Sequence, residues 1–114
     1  MRVQRGQIWS VKLDPTVANE QAGTRPCIVV STDRFNALPI HQPIVVPLTT
    51  CERGFPHHIL VTDEGGGLNK SSWAMCEGVR AVSASRFGRL ISIATPQTLT
   101  QVADQLTRWL RYQG

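Results

Sequence analysis

Two stretches of this 114-residue chain carry side chains whose types and spacing suit chemistry on a charged substrate. In Asn19-Glu20-Gln21-Ala22-Gly23-Thr24-Arg25-Pro26 a carboxylate and a guanidinium straddle a turn, and Pro26 stiffens the backbone just past Arg25. In Pro47-Leu48-Thr49-Thr50 two hydroxyls follow an apolar run. A guanidinium fork makes two charge-assisted bonds to phosphate oxygens, and a threonine hydroxyl adds another donor. If the strands that carry them pair, Arg25 and Thr49 face one concave surface. Spacing alone favours a plainer reading: a loop ion pair from Glu20 to Arg25 beside solvated threonines.

Other chemistries find no support. The stretch Gly65-Gly66-Gly67-Leu68-Asn69-Lys70-Ser71 imitates a phosphate-cradling loop but has Glu64 and Asn69 where that motif fixes glycines. His57 and His58 are adjacent, and neighbours on a strand point to opposite faces, so the pair is not expected to chelate one ion. His41 stands alone in a proline-rich turn. Neither G-x-S-x-G nor H-E-x-x-H occurs. Cys27, Cys51 and Cys76 are odd in number and far apart, which argues against a disulfide framework or a thiolate zinc site. Cys27 and Cys76 read as buried small hydrophobes, whereas Cys51 falls in a polar loop.

The elements that position these residues follow from periodicity. A chain of this length has room for one domain, residues 1–114, and 41% hydrophobic content with 18% charged residues suits a packed globule. No apolar stretch approaches the roughly 20 residues of a bilayer span, and the N-terminus turns polar at once, so the cytoplasm is the expected compartment. Twelve Lys and Arg against eight Asp and Glu give a net charge of +4, which favours anionic partners, nucleic acid foremost.

Gln7–Leu13 alternates with Trp9, Val11 and Leu13 on one side, the pattern of a half-buried strand. A loop is expected from Thr16 to Thr24, then a central strand over Arg25–Ser31 and one helical turn over Thr32–Asn36. Further strands are expected over Pro43–Leu48, His58–Val61, Ser72–Ala81 and Arg89–Ile93, with a mobile glycine tract at 65–67. Thr95 and Pro96 open a helix whose Leu99, Val102, Ala103, Leu106 and Leu110 form the apolar face; Gln101, Asp104, Gln105 and Arg108 lie opposite. Trp109 falls near the apolar face and reads as packing. Trp73 could stack on a base, although core contact is the plainer use. The tally is mainly β with one closing helix: a small curled sheet or partly open barrel.

The run Ile8-Trp9 … Leu13-Asp14-Pro15-Thr16 … Glu20-Gln21-Ala22-Gly23-Thr24-Arg25-Pro26 resembles the opening of the MazF/PemK (Kid) family of toxins. Val45-Val46-Pro47-Leu48-Thr49-Thr50, the Gly54-Phe55-Pro56 turn and Cys76-Glu77-Gly78-Val79-Arg80 continue it in order. The resemblance implies an α+β, SH3-like or CcdB-like barrel with a C-terminal helix, assembled as a cytoplasmic homodimer. It implies metal-independent, cofactor-free cleavage of single-stranded RNA at short sequences, blocked by a cognate acidic antitoxin. Operator DNA would be reached only through that antitoxin, and no membrane is involved. Position by position, Arg25 and Thr49 match the family's catalytic arginine and threonine, and Glu20 its loop acid. Asn19, Gln21, Thr50, Glu77 and Arg80 fall where substrate contacts are expected. Ala18-Asn19 departs from the usual residues before the Glu-Gln pair, Met75 stands where the Kid-type branch has an arginine, and Gly78 replaces a common glutamine.

The chemistry is coherent with those residues. RNA carries its own nucleophile, the 2′-OH, and attack on the adjacent phosphorus leaves a cyclic phosphate and a 5′-hydroxyl. The enzyme must hold an in-line geometry and stabilise charge on the phosphoryl oxygens. Arg25 keeps its proton, so the general base is sought between Glu20 and Glu77. Two rivals share the expected fold: a CcdB-like poison of DNA gyrase, and a catalytically silent binding module.

Overall fold

The computed structural model of the chain describes residues 2–13 and 23–111. The alternation in Gln7–Leu13 produces β1, which buries Trp9, Val11 and Leu13 on one side and Ile8 on the other. β2 (Gly23–Val29) pairs antiparallel with it, Ile8 opposite Ile28 and Val11 opposite Arg25. α1 (Asp33–Asn36) is the expected single turn, capped by the Thr32 hydroxyl accepting from the Phe35 N–H. β3 (Ile44–Thr49) returns along β2, Cys27 opposite Pro47 and Val29 opposite Val45.

β4 (His58–Leu60), β5 (Asp63–Glu64), β6 (Trp73–Met75), β7 (Arg80–Ala81) and β8 (Phe87–Ala94) complete an antiparallel sheet in the order β4-β6-β3-β2-β1-β8-β5, with β7 also on β3. The sheet curls into a half-barrel closed by α2 (Pro96–Leu110). Among the described residues, no helix is long and apolar enough to cross a membrane.

The apolar runs in β2 and β3 are buried on both faces, as uninterrupted hydrophobicity requires. One face meets α2 through Ile8, Ile28, Val46, Leu48, Ala74 and Val102. The other encloses Trp9, Val11, Cys27, Val29, Val45 and Phe87. Trp9 and Phe87 meet edge to face, their centroids 5.8 Å apart.

Three expectations change. Ser72–Ala81 is not one strand: β6 takes Leu48 and Thr49 as partners, β7 takes Ile44 and Val45, and a 3-10 turn at Cys76–Gly78 separates them. The break lies beside Val46-Pro47, where Pro47 has no N–H to offer a neighbouring strand. Asp63 and Glu64, just before the glycines, form an edge strand, with Asp63 opposite Ala94 and the Ser92 hydroxyl donating to the Glu64 carbonyl at 2.8 Å. Gly67 belongs to this edge because a Cβ there would sit 2.0 Å from the Ile91 carbonyl oxygen.

The third change concerns α2. Its start is as read, with Thr95 Oγ1 accepting from the Thr98 N–H at 3.3 Å and Pro96 following. Its face is rotated, however: Gln105 is buried, while Leu110 is 83% exposed. Gln105 can be inside because its Oε1 accepts from Arg108 Nη1 at 3.1 Å, which satisfies the polar end while the stem packs.

Candidate active site

Register brings the expected pair together. The β2–β3 ladder ends with Cys27 against Pro47, and two residues beyond that pair, by strand alternation, Arg25 and Thr49 fall on the face of Cys27 and Pro47. Thr49 in turn pairs with Trp73, and Trp73 with Leu60. Directly paired residues project from the same face of an antiparallel sheet. One face therefore carries the paired Val11 and Arg25 and, beyond them, the paired Thr49, Trp73 and Leu60. At its inner end this face abuts the Trp9 and Cys27 core; at its outer end Leu60 is exposed.

Arg25 and Thr49 line one cavity of about 230 Å³, together with Thr24, Pro26, Leu48, Thr50 and Ser72. Arg25 Nη1 donates to the Leu48 carbonyl at 3.3 Å, which fixes the fork against β3. Its Nε is buried and, among the described residues, has no hydrogen-bond partner. A buried guanidinium N–H without an acceptor is costly, and a bound anion supplies one. Thr49 Oγ1 accepts from the Cys51 N–H at 3.1 Å, an arrangement that leaves its own proton free to be donated. The local sequence builds both supports: Pro26 fixes the backbone after Arg25, and the chain turns after Thr49 so that the Cys51 amide reaches back.

The thiols near this site are inert. Burial pushes Cys27 up to about 12, against the opposing pull of Arg25 and then Arg80, and its thiol donates to the Arg25 carbonyl at 3.7 Å. Burial also raises Cys76 to about 11, with Glu77 adding to the rise. Cys51 is exposed, as its polar loop implies.

The remaining expected residues are distributed as follows. Thr50 lines the cavity and is exposed. Glu20, Asn19 and Gln21 lie outside the described residues. Arg80 pairs with Val45, on the same face as Arg25 but four residues from Thr49 along β3, and it lines a separate depression with Gln42, Ser83 and Arg86. Glu77 does not line the cavity. Its carboxylate is engaged by His58 Nε2, 3.1 Å from each oxygen, and by His57 Nε2, 3.3 Å from Oε1.

That last contact corrects the expectation that His57 and His58 diverge. β4 begins at His58, so His57 lies in the preceding turn, where strand alternation does not apply, and both rings reach one carboxylate. Ser72 and Trp73 were not separable as site residues by type. Their signal is positional: Trp73 pairs with Thr49, and the preceding residue, Ser72, lines the cavity.

Comparison with known proteins places the chain in a family. Residues 4–110 match the family described as PemK-like, MazF-like toxin of type II toxin-antitoxin system. The chain is 32% identical over 109 residues to endoribonuclease MazF9 of Mycobacterium tuberculosis, covering 91% of this chain and 92% of that one. The crystal structure of MazF from Deinococcus radiodurans superposes with a TM-score of 0.83 at 22% identity, over 96% of this chain and 97% of the other. An endoribonuclease in complex with its cognate antitoxin, from a mycobacterial species, superposes with a TM-score of 0.74 at 18% identity, over 97% and 99%. With its half-barrel, its Arg25–Thr49 cavity and a match along nearly its whole length, the chain belongs to the PemK-like, MazF-like toxins of type II toxin–antitoxin systems.

Proposed function

We propose that this toxin is an endoribonuclease that cuts single-stranded RNA at the Arg25–Thr49 cavity. The observation that carries the reading is a partly buried guanidinium with one N–H that has no acceptor among the described residues, sharing a cavity with a threonine hydroxyl whose oxygen is already held by a backbone amide.

The 2′-OH attacks the adjacent phosphorus, the bond to the 5′ oxygen breaks, and a 2′,3′-cyclic phosphate and a 5′-hydroxyl result. Arg25 neutralises charge on the non-bridging oxygens as it grows, and the Thr49 hydroxyl donates to one of them. Because the guanidinium supplies this charge, the reaction requires no metal ion. Glu20 is the carboxylate proposed to accept the 2′-OH proton, with Asn19, Gln21 and Thr50 contacting substrate. Arg80 extends the basic face along β3 by four residues, roughly 13 Å at the usual rise. That spacing suits a phosphate further along an extended strand, beyond the adjacent one. Glu77 is proposed to act at the margin of this path.

The toxin works in the cytoplasm as a homodimer. Its antitoxin presents an acidic, partly disordered segment that competes with RNA for the basic face and alone connects the toxin to operator DNA. Incubation with a long single-stranded RNA in EDTA, followed by mapping of both new termini, tests the reading. Cyclic-phosphate and 5′-hydroxyl ends at a short recurring sequence support it. Intact RNA with inhibited gyrase supercoiling would replace it with the gyrase-poison alternative.

A further inference from the structure

His57, His58 and Glu77 bring two imidazole nitrogens and a carboxylate within 4.8 Å of one another, away from the RNA-cleaving cavity. The three come from separate places: the turn before β4, the first residue of β4 and the 3-10 turn after β6. Aromatic rings hold both imidazoles. Phe55 stacks on His57 with centroids 5.4 Å apart and meets His58 edge-on at 5.1 Å, while Trp109 of α2 lies 5.4 Å from His57. The His58 side chain is 2% exposed and Glu77 45%, so the cluster has a packed floor and an open mouth.

We propose that His57, His58 and Glu77 form a site for a divalent transition metal, best suited to Zn²⁺, with the imidazoles binding through Nε2 and Glu77 through its carboxylate. Two borderline nitrogens and one carboxylate match the donor set of three-ligand zinc sites and are poorly suited to Ca²⁺ or Mg²⁺, which take oxygens. Zinc bonds of about 2.0–2.1 Å at tetrahedral angles separate neighbouring donors by roughly 3.4 Å. The Nε2-to-carboxylate distances are 3.1 and 3.3 Å, so each histidine already sits near the edge length of that polyhedron. Bringing all three donors onto one ion requires an approach of about 1–2 Å, which the half-exposed turn at His57 can supply. The fourth position faces solvent beside Glu77. On binding, each Nε2 becomes a lone-pair donor and its proton resides on Nδ1. His58 Nδ1 has no partner among the described residues, so the affinity should fall about 10–100-fold short of a site with a supporting acceptor. The ion would tie the turn before β4 to the 3-10 turn, beneath the end of α2.

The test titrates the intact, EDTA-stripped protein with Co²⁺, follows the d–d bands, then displaces Co²⁺ with Zn²⁺ and repeats the binding by calorimetry. One equivalent is expected, with a rise in Tm on adding Zn²⁺, and at least tenfold weaker binding in both His57→Ala and Glu77→Gln. Circular dichroism checks that each variant is folded; Glu77 is half-exposed, so its variant tests the site even if His57→Ala does not fold. Unchanged affinity in the folded variants, a thiolate charge-transfer band assigning the ion to Cys51, or no stoichiometric binding would each overturn the site. RNA cleavage in EDTA is read separately and does not depend on it.

Discussion

The Arg25 guanidinium donates to the backbone carbonyl of Leu48 at 3.3 Å, one residue short of the Thr49 with which it lines one cavity. The contact uses one edge of the fork as an anchor and leaves the rest of the group for an anion. Position and charge are thus set by the same side chain.

Arg25→Ala should therefore abolish most RNA cleavage, by on the order of 10²–10³ in kcat/KM, while leaving the fold intact. Arg25→Lys should recover little, since a point charge on a flexible stem cannot hold the Leu48 carbonyl and an anion together. Initial rates on a defined oligonucleotide, with circular dichroism as the fold control, check both. A mutant that cuts like the parent chain would remove Arg25 from the mechanism.

Thr49→Val and Thr49→Ser should separate sterics from hydrogen bonding. The valine keeps the shape but loses the acceptor for the Cys51 N–H and the donor toward substrate, and its rate should fall by about 10². The serine should stay within a few-fold. A loss in the serine with the valine spared would mean that the methyl group, and not the hydroxyl, matters.

Gly67→Ala should destabilise the protein by about 1–3 kcal/mol, because its Cβ would meet the Ile91 carbonyl oxygen at 2.0 Å and the edge at β5 must move. Gly88→Ala is the control: the nearest atom there lies 3.4 Å away, and the change should fall within roughly 0.5 kcal/mol. Urea unfolding midpoints of the two variants give the comparison directly.

The buried thiols set an alkaline limit on stability. In the unfolded chain they ionise near 9.0, whereas in the fold burial raises Cys27 to about 12 and Cys76 to about 11. Their contribution is complete below pH 9 and is lost as pH climbs through the folded values. The slope is at most about 1.4 kcal/mol per pH unit for each thiol. Urea titrations between pH 8 and 10.5 should show the decline, and Cys76→Ala should flatten it. A thiol reagent added to the native protein should label one cysteine quickly, the exposed Cys51.

Much of the fold was legible because its elements obey one period each. Gln7–Leu13 alternates cleanly, and Thr95-Pro96 marks the start of α2 by chemistry that works within a single turn. Arg25 and Thr49 were legible as types, but their meeting depends on register, which the apolar runs of β2 and β3 impose by burying both faces. What escaped is non-local. Gln105 is inside because Arg108 takes its amide oxygen, and an apolar count cannot credit that. His57 and His58 converge because the strand begins at His58, as expected, and leaves His57 in a turn where alternation does not hold, while Glu77 arrives from a 3-10 turn hidden inside an apparent strand.

The double-sided enclosure of β2 and β3 has a consequence for how such a protein can diversify. Cys27, Ile28, Val29, Val45 and Val46 have no solvent side on which to accept new polar groups, so this plank is closed to innovation. Arg25 and Thr49 stand at its ends, where the enclosure first opens. Substitutions on the surrounding rims can therefore alter what the cavity admits, while the enclosed strands hold Arg25 and Thr49 at a fixed separation.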